Sequence, residues 1–175
     1  MKKFELTNEF ITNMFGTKLF RIRALVEFGD VEAGELGGYV EKESNLGHDD
    51  NAWVYDNAWV YGNARVYDNA WVYGDAQVSG DARVCGDARV CGNGDYAYAH
   101  GFGSVNRTTT FFRLKDGGVG VRCGCFYGTL AQFRDKIRET HGETKKAQEY
   151  LMLADLMELR FEEDENEVGN RKYVE

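Results

Sequence analysis

Residues 51–74 read NAWVYDNAWVYGNARVYDNAWVYG, four near-copies of one six-residue unit. Three more copies follow, DAQVSG, DARVCG and DARVCG, ending at residue 92. Ala fills the second slot of every copy, at 52, 58, 64, 70, 76, 82 and 88. Val fills the fourth, at 54, 60, 66, 72, 78, 84 and 90. Residues two apart in a strand share one side, so Ala and Val point inward together. The third and fifth slots flank the inward Val and therefore point outward. Asn, Asp and Gly at the hexad junctions supply the bends, a duty they carry alone in a chain with 21 Gly and no Pro. A short strand and a corner, repeated seven times, predicts the coils of a parallel β-helix.

The pattern resembles the hexapeptide repeat of left-handed β-helices, in which three hexads close one triangular coil of about 18 residues. The resemblance implies a mainly β fold, a short left-handed parallel β-helix. Continued in register, the fourth slot holds Tyr96 and Phe102 and the second holds Gly94 and His100, which extends the expected coils over 51–104. Upstream, Val40 and Leu46 fall in the Ala register, so residues 37–50 read as an irregular lead-in. Residues one coil apart should stack. In the first slot this sets Asp87 on Asn69, Asp81 on Asn63, and Asp75 between Asn57 and Asn93, never Asp on Asp. Like charges directly opposite are unfavourable, so the sequence agrees with this winding.

Around the coils, 1–50 reads as an N-terminal β cap, with a strand over 18–27 and turns in FGDVEAGELGG. Segment 105–161 reads as a hairpin and two helices. RTTTFFRL (107–114) and VGVRCGCFY (119–127) flank the turn signal Asp116-Gly117. Thr129 and Gln132 form a capping box before Leu130, Phe133 and Ile137, and Gly142 ends that helix. A second helix over about 144–161 follows the spacing of Tyr150, Leu151, Ala154, Met157 and Phe161. Segment 162–175 opens with the acidic run EEDENE. The lead-in RIRALVEFGDVEAGELGGYVE and the closing FFRLKDG and VGVRCGCF resemble a group of phage, prophage and bacterial hexapeptide-repeat proteins of unassigned activity. Some of these carry an acetyltransferase label. This resemblance covers about residues 1–160 and implies a phage or prophage setting.

The net charge of −8 argues against direct nucleic-acid binding, which needs a basic stripe. It suits an acidic surface that competes for a nucleic-acid site on another protein. No apolar run approaches membrane-spanning length, and four Cys make no dense disulfide framework. The expectation is a soluble protein of the bacterial cytoplasm that uses no membrane.

Hexapeptide acyltransferases use a histidine base with an acyl-CoA donor lying along the coil. His100 and His48 are the candidates for that alternative, but no inserted loop shapes an acceptor site and no basic cluster grips CoA phosphates. The favoured reading therefore has no catalytic residue and no cofactor. Cys123-x-Cys125 lacks a second ligand pair, so no metal is expected.

Surface recognition remains. Stacking sets Trp53, Trp71 and Arg89 in one column, with Tyr55 and Tyr73 beside them. Trp59 and Tyr61 begin a second face, and Arg65 with Arg83 a third. Trp53, Tyr55, Trp59, Tyr61, Trp71, Tyr73 and Arg89 are the candidate partner-binding residues, being of the types that dominate interfaces. The wide apolar face of the last helix nominates Tyr150, Leu153, Leu156 and Met157 as an oligomer interface. The function expected is a non-enzymatic interaction protein that binds a host macromolecule, as an anti-CRISPR-like inhibitor does, and that forms a homo-oligomer. The alternatives are the acyltransferase and a purely structural, polymer-forming solenoid.

Overall fold

The computed structural model of the protein describes residues 1–162. Of the acidic segment 162–175, all but Glu162 lies outside the described residues.

Among the described residues the chain is mainly β with two α-helices. It opens with β1 (Phe4–Thr12), β2 (Lys18–Ala24) and β3 (Leu36–Val40). Each hexad then contributes one two-residue strand: β4 (Trp53–Val54), β5 (Trp59–Val60), β6 (Arg65–Val66), β7 (Trp71–Val72), β8 (Gln77–Val78), β9 (Arg83–Val84) and β10 (Arg89–Val90). The strands stack in parallel, as the 18-residue spacing predicts. Trp53 pairs with Trp71 and Trp71 with Arg89; Trp59 pairs with Gln77; Arg65 pairs with Arg83. All seven Ala and all seven Val of the repeat have no exposed surface. They fill the interior of a β-solenoid.

The corners explain the alternation of Asp and Gly in the sixth slot. Asp56, Gly62, Asp68, Gly74, Gly80 and Gly86 all have φ between 51 and 67°. Gly enters this left-handed region freely, and Asp enters it when its side chain finds a nearby backbone donor. Here Asp56 accepts from Gly74 N–H and Asp68 from Gly86 N–H, each at 3.2 Å. The first slot forms the expected ladders: the Asn51 amide donates to Asn69, Asn69 to Asp87, and Asn63 to Asp81, each 18 residues on.

A solenoid must finish its two open edges, and the two finishes have opposite chemistry. The N–H groups of slots three and five donate to the carbonyls of slots two and four one coil on, as in Trp53 N–H to Ala70 O and Tyr55 N–H to Val72 O. The first coil thus leaves carbonyls and the last leaves N–H groups. At the first edge the Lys3 ammonium, 3% exposed, donates to the carbonyls of Ala52 and Asp50, both at 2.8 Å. At the last edge acceptors arrive. Asn93 Oδ1 takes Gln77 N–H, Thr110 Oγ1 takes Arg83 N–H, and an Asp95 carboxylate oxygen takes Cys91 N–H. Buried backbone groups require such partners, and the caps provide them side chain by side chain.

Two expectations are corrected. Parallel pairing begins before residue 51: Tyr39 and Val40 pair with Trp59 and Val60, and Leu46 bridges Val66. The first turn is two residues longer than the others, which moves Val40 and Leu46 out of the strict register and into the Val columns. Pairing also ends earlier than residue 104. After β10 the chain turns at Gly92–Asp95 and leaves as β11 (Tyr96–Phe102), antiparallel to β12 (Arg107–Arg113). The Tyr96 hydroxyl donates to Gln77 O at 2.6 Å, so the aromatic plugs the last coil rather than building another.

The sheet continues through β13 (Val119–Cys123) and β14 (Phe126–Thr129), in the order β11-β12-β13-β14. The expected strand over 119–127 is split by a tight turn at Gly124, whose φ is 59°. One face of this sheet sends Phe112 into the solenoid core. The other packs Phe111, Val121 and Cys123 against helices α1 (Leu130–His141) and α2 (Lys145–Phe161). The capping box forms as read, with Thr129 N–H to Gln132 Oε1 at 2.9 Å and Gln132 N–H to Thr129 Oγ1 at 3.3 Å. Arg113 joins the two cores, 3.8 Å from Asp95 and over the Phe161 ring at 5.3 Å.

Gly103 makes a further test of this cap. Its φ of 69° and ψ of −139° suit only glycine, and an added Cβ would lie 2.0–2.5 Å from the Tyr150 ring. Gly103→Ala should destabilise the protein by about 2–4 kcal/mol, because backbone strain and a displaced buried ring add. Urea denaturation reads this directly. A cost below 1 kcal/mol would show that the ring is not seated against this backbone.

Candidate interaction surfaces

The aromatic columns have the predicted order but not the predicted exposure. Trp53 is completely buried. Phe28 meets its ring edge-on at 5.3 Å and Phe4 at 6.2 Å, with Lys3 over Phe28 at 4.5 Å. The N-terminal arm and the 25–35 loop cover this end of the face, so Trp53 is a core residue and not a contact for another molecule. Trp71, one coil on, is half-buried. Arg89 sits 4.0 Å above its ring and Tyr55 meets it edge-on at 5.3 Å. The same guanidinium donates to Asn69 O and Ala88 O, so the cation–π pair is pinned from within. Burial, with Glu35 and Asp30 nearby, pushes the Tyr55 phenol up to about 12. Tyr73, Trp59 and Tyr61 are half-buried on the solenoid flanks.

The helix residues divide likewise. Tyr150 and Met157 are 2% and 6% exposed and belong to the chain's own second core, against Phe133 and the C-terminal sheet. They are not available to a partner. Leu153 is half-buried and Leu156 is exposed. α2 carries two seams of spacing three and four. Ala147, Tyr150, Ala154, Met157 and Phe161 face inward. Met152, Leu156 and Leu159 face out, at 71%, 54% and 66% exposure. Leu159 belongs to the wide apolar face read from the sequence, with Leu153 and Leu156; Met152 was not picked out, although the same three-and-four spacing marks it. Met152 and Leu156 of this seam, with Phe102, Glu149 and Leu153, line an open groove of about 450 Å³.

The histidines serve packing and hydrogen bonding. His48 stacks on Phe4 at 4.3 Å, and its Nδ1 accepts from Lys3 N–H at 3.3 Å. His100 lies on β11, outside the coils, 2.9 Å from Thr108 Oγ1. It is therefore not an inward residue of the repeat. All four cysteines are free thiols. Among the described residues no three of His, Cys, Asp and Glu cluster as a metal site, and no helix is long and apolar enough to cross a membrane.

The third face carries Arg65 and Arg83, both exposed, with the Tyr67 ring beside Arg65. Arg122 of β13 reaches the same ring.

No curated protein matches the chain. The model of the YdcK beta solenoid repeat matches residues 58–74 and 76–92, two successive coils, so this stretch is similar to the repeat of a β-solenoid family.

Proposed function

We propose that the protein is a non-enzymatic interaction module, a left-handed solenoid that pairs with a second copy through α2 and presents its flanks to a host macromolecule. The observation that carries this reading is the outer seam of α2. Met152, Leu156 and Leu159 repeat on the coiled-coil spacing on a face that the described residues leave exposed. Charge along α2 favours a second copy running antiparallel. Lys145 and Lys146 open the helix, while Glu158, held by Arg134, and Glu162 flank Arg160 at its end, so a two-fold pair sets the basic end against the more acidic one.

What supports a host target is the resemblance of the lead-in and closing segments to phage and prophage proteins. The net charge of −8 adds to this, since it suits competition with nucleic acid for a basic site. A counter-defence inhibitor of the anti-CRISPR kind is the form we favour. The half-buried aromatics Trp59, Tyr61 and Tyr73 are the flank residues offered to that target.

Light scattering coupled to size exclusion tests the pairing. The wild type should run at twice 19.8 kDa, and Leu156→Glu should run at the single-chain mass with unchanged helical dichroism. A monomeric wild type overturns the α2 interface, and an open-ended size distribution replaces it with the polymer reading. For the target, the protein is expressed in a bacterium with an active CRISPR nuclease, which is then challenged with a targeted phage. Plaque counts should rise. Unchanged counts would discard the counter-defence role.

A further inference from the structure

Arg65 and Arg83 are direct partners in the parallel register of β6 and β9. Strand spacing sets their backbones about 4.8 Å apart. Like charges directly opposite destabilise a sheet, and the hexad does not demand arginine, since the same slot holds Trp59, Trp71 and Gln77. A third guanidinium arrives from the C-terminal sheet. Arg122 lies across from Thr110, whose hydroxyl accepts Arg83 N–H at 3.0 Å. Arg65 and Arg122 sit 5.8 and 6.0 Å from the centroid of the one Tyr67 ring. Arg122 Nε is buried with no hydrogen-bond partner among the described residues.

The carboxylates on the adjoining corners bond to neutral donors and form no ion pair with these guanidiniums, although Asp68 stays close enough to act on Tyr67 and Cys85. Asp81 accepts from the Asn63 amide, and Asp68 from Gly86 N–H. Among the described residues, none of the nine ion pairs includes Arg65, Arg83 or Arg122. The groups between them stay neutral, since burial pushes the Cys85 thiol up to about 11 and raises the Tyr67 phenol as well. Three positive charges therefore converge on one face of a chain whose net charge is −8.

The geometry points to a binding site for a terminal phosphoryl group, held by Arg65, Arg83 and Arg122 over the Tyr67 ring. All three cations are arginine, whose planar fork matches phosphate oxygens two at a time. A dianionic phosphoryl group offsets two of the three charges. A carboxylate, or the monoanionic diester of a nucleic-acid backbone, offsets one. The site thus favours a pyrophosphate or phosphate monoester over a polymer.

Calorimetric titration with sodium pyrophosphate, in phosphate-free buffer, tests it without involving α2 or any host target. Saturable one-to-one binding is expected. Arg65→Gln and Arg83→Gln should each weaken it at least tenfold, while Lys115→Gln leaves it unchanged, with thermal melts confirming that every variant folds. Absence of saturable binding overturns the proposal, as does equal affinity in the arginine variants. A parallel titration with a ten-residue oligothymidylate lacking terminal phosphates separates the sources. Binding of that strand without binding of pyrophosphate overturns the phosphoryl site in favour of a nucleic-acid surface.

Discussion

Trp53→Ala will cost the protein about 3–5 kcal/mol of stability, the range for truncating a large aromatic in a packed core. The indole has no exposed surface and is met edge-on by Phe4 and Phe28. Its removal opens a void between the first coil and the arm that covers it. Among the described residues the indole Nε1 has no hydrogen-bond partner, so the cost is one of packing and not of broken polar contacts. At about 2–4 °C per kcal/mol for a chain of this size, the melting temperature should fall by roughly 10 °C. Trp71→Ala is the internal comparison. Trp71 is half-buried and loses the Arg89 and Tyr55 contacts, so about half the cost is expected. Equal effects in the two variants would mean that the N-terminal arm does not pack on the first coil.

Val72→Asp will abolish cooperative folding at neutral pH. Val72 lies in β7, the middle strand of its column, in register with Val54 below and Val90 above. Its surroundings are the apolar Ala and Val columns, all without exposed surface. A carboxylate there has no partner and no water, and even its neutral form must be desolvated, at several kcal/mol. Because each coil is stabilised mainly by its neighbours, a fault in the middle coil uncouples both ends. Val72→Thr, nearly the same shape with one buried hydroxyl, should fold and lose about 1–3 kcal/mol. Far-ultraviolet dichroism and a urea transition distinguish the three proteins. A folded, cooperative Val72→Asp would show that the interior admits water.

What could be read in advance was whatever local spacing dictates. The Ala and Val slots point inward because residues two apart share a side, whatever the rest of the chain does. The Asn and Asp ladders follow from coil spacing alone, and Thr129–Gln132 capped α1 because that bond is made within one turn. Val40 and Leu46 were harder. Two extra residues in the first turn shift them off the strict period, and no local rule says that a solenoid may open with a longer coil. Tyr96 and Phe102 misled in the other direction. They keep the period, yet β11 completes a ladder with β12, which parallel stacking on a last coil could not have matched.

The candidate sites divide along the same line. Sequence alone determined that Trp53, Trp71 and Arg89 share a column and that Arg65 stacks on Arg83, because a column is a property of the repeat. It also determined that α2 has more apolar face than one neighbour can cover. Only the tertiary structure decided which of these surfaces stay open. Trp53 is closed by Phe4 and Phe28, Tyr150 and Met157 by the second core, and the arginine pair gains Arg122 from a strand of the C-terminal sheet. The physical reason is that periodicity fixes the direction in which a side chain points. What lies in that direction depends on segments brought there from elsewhere in the chain.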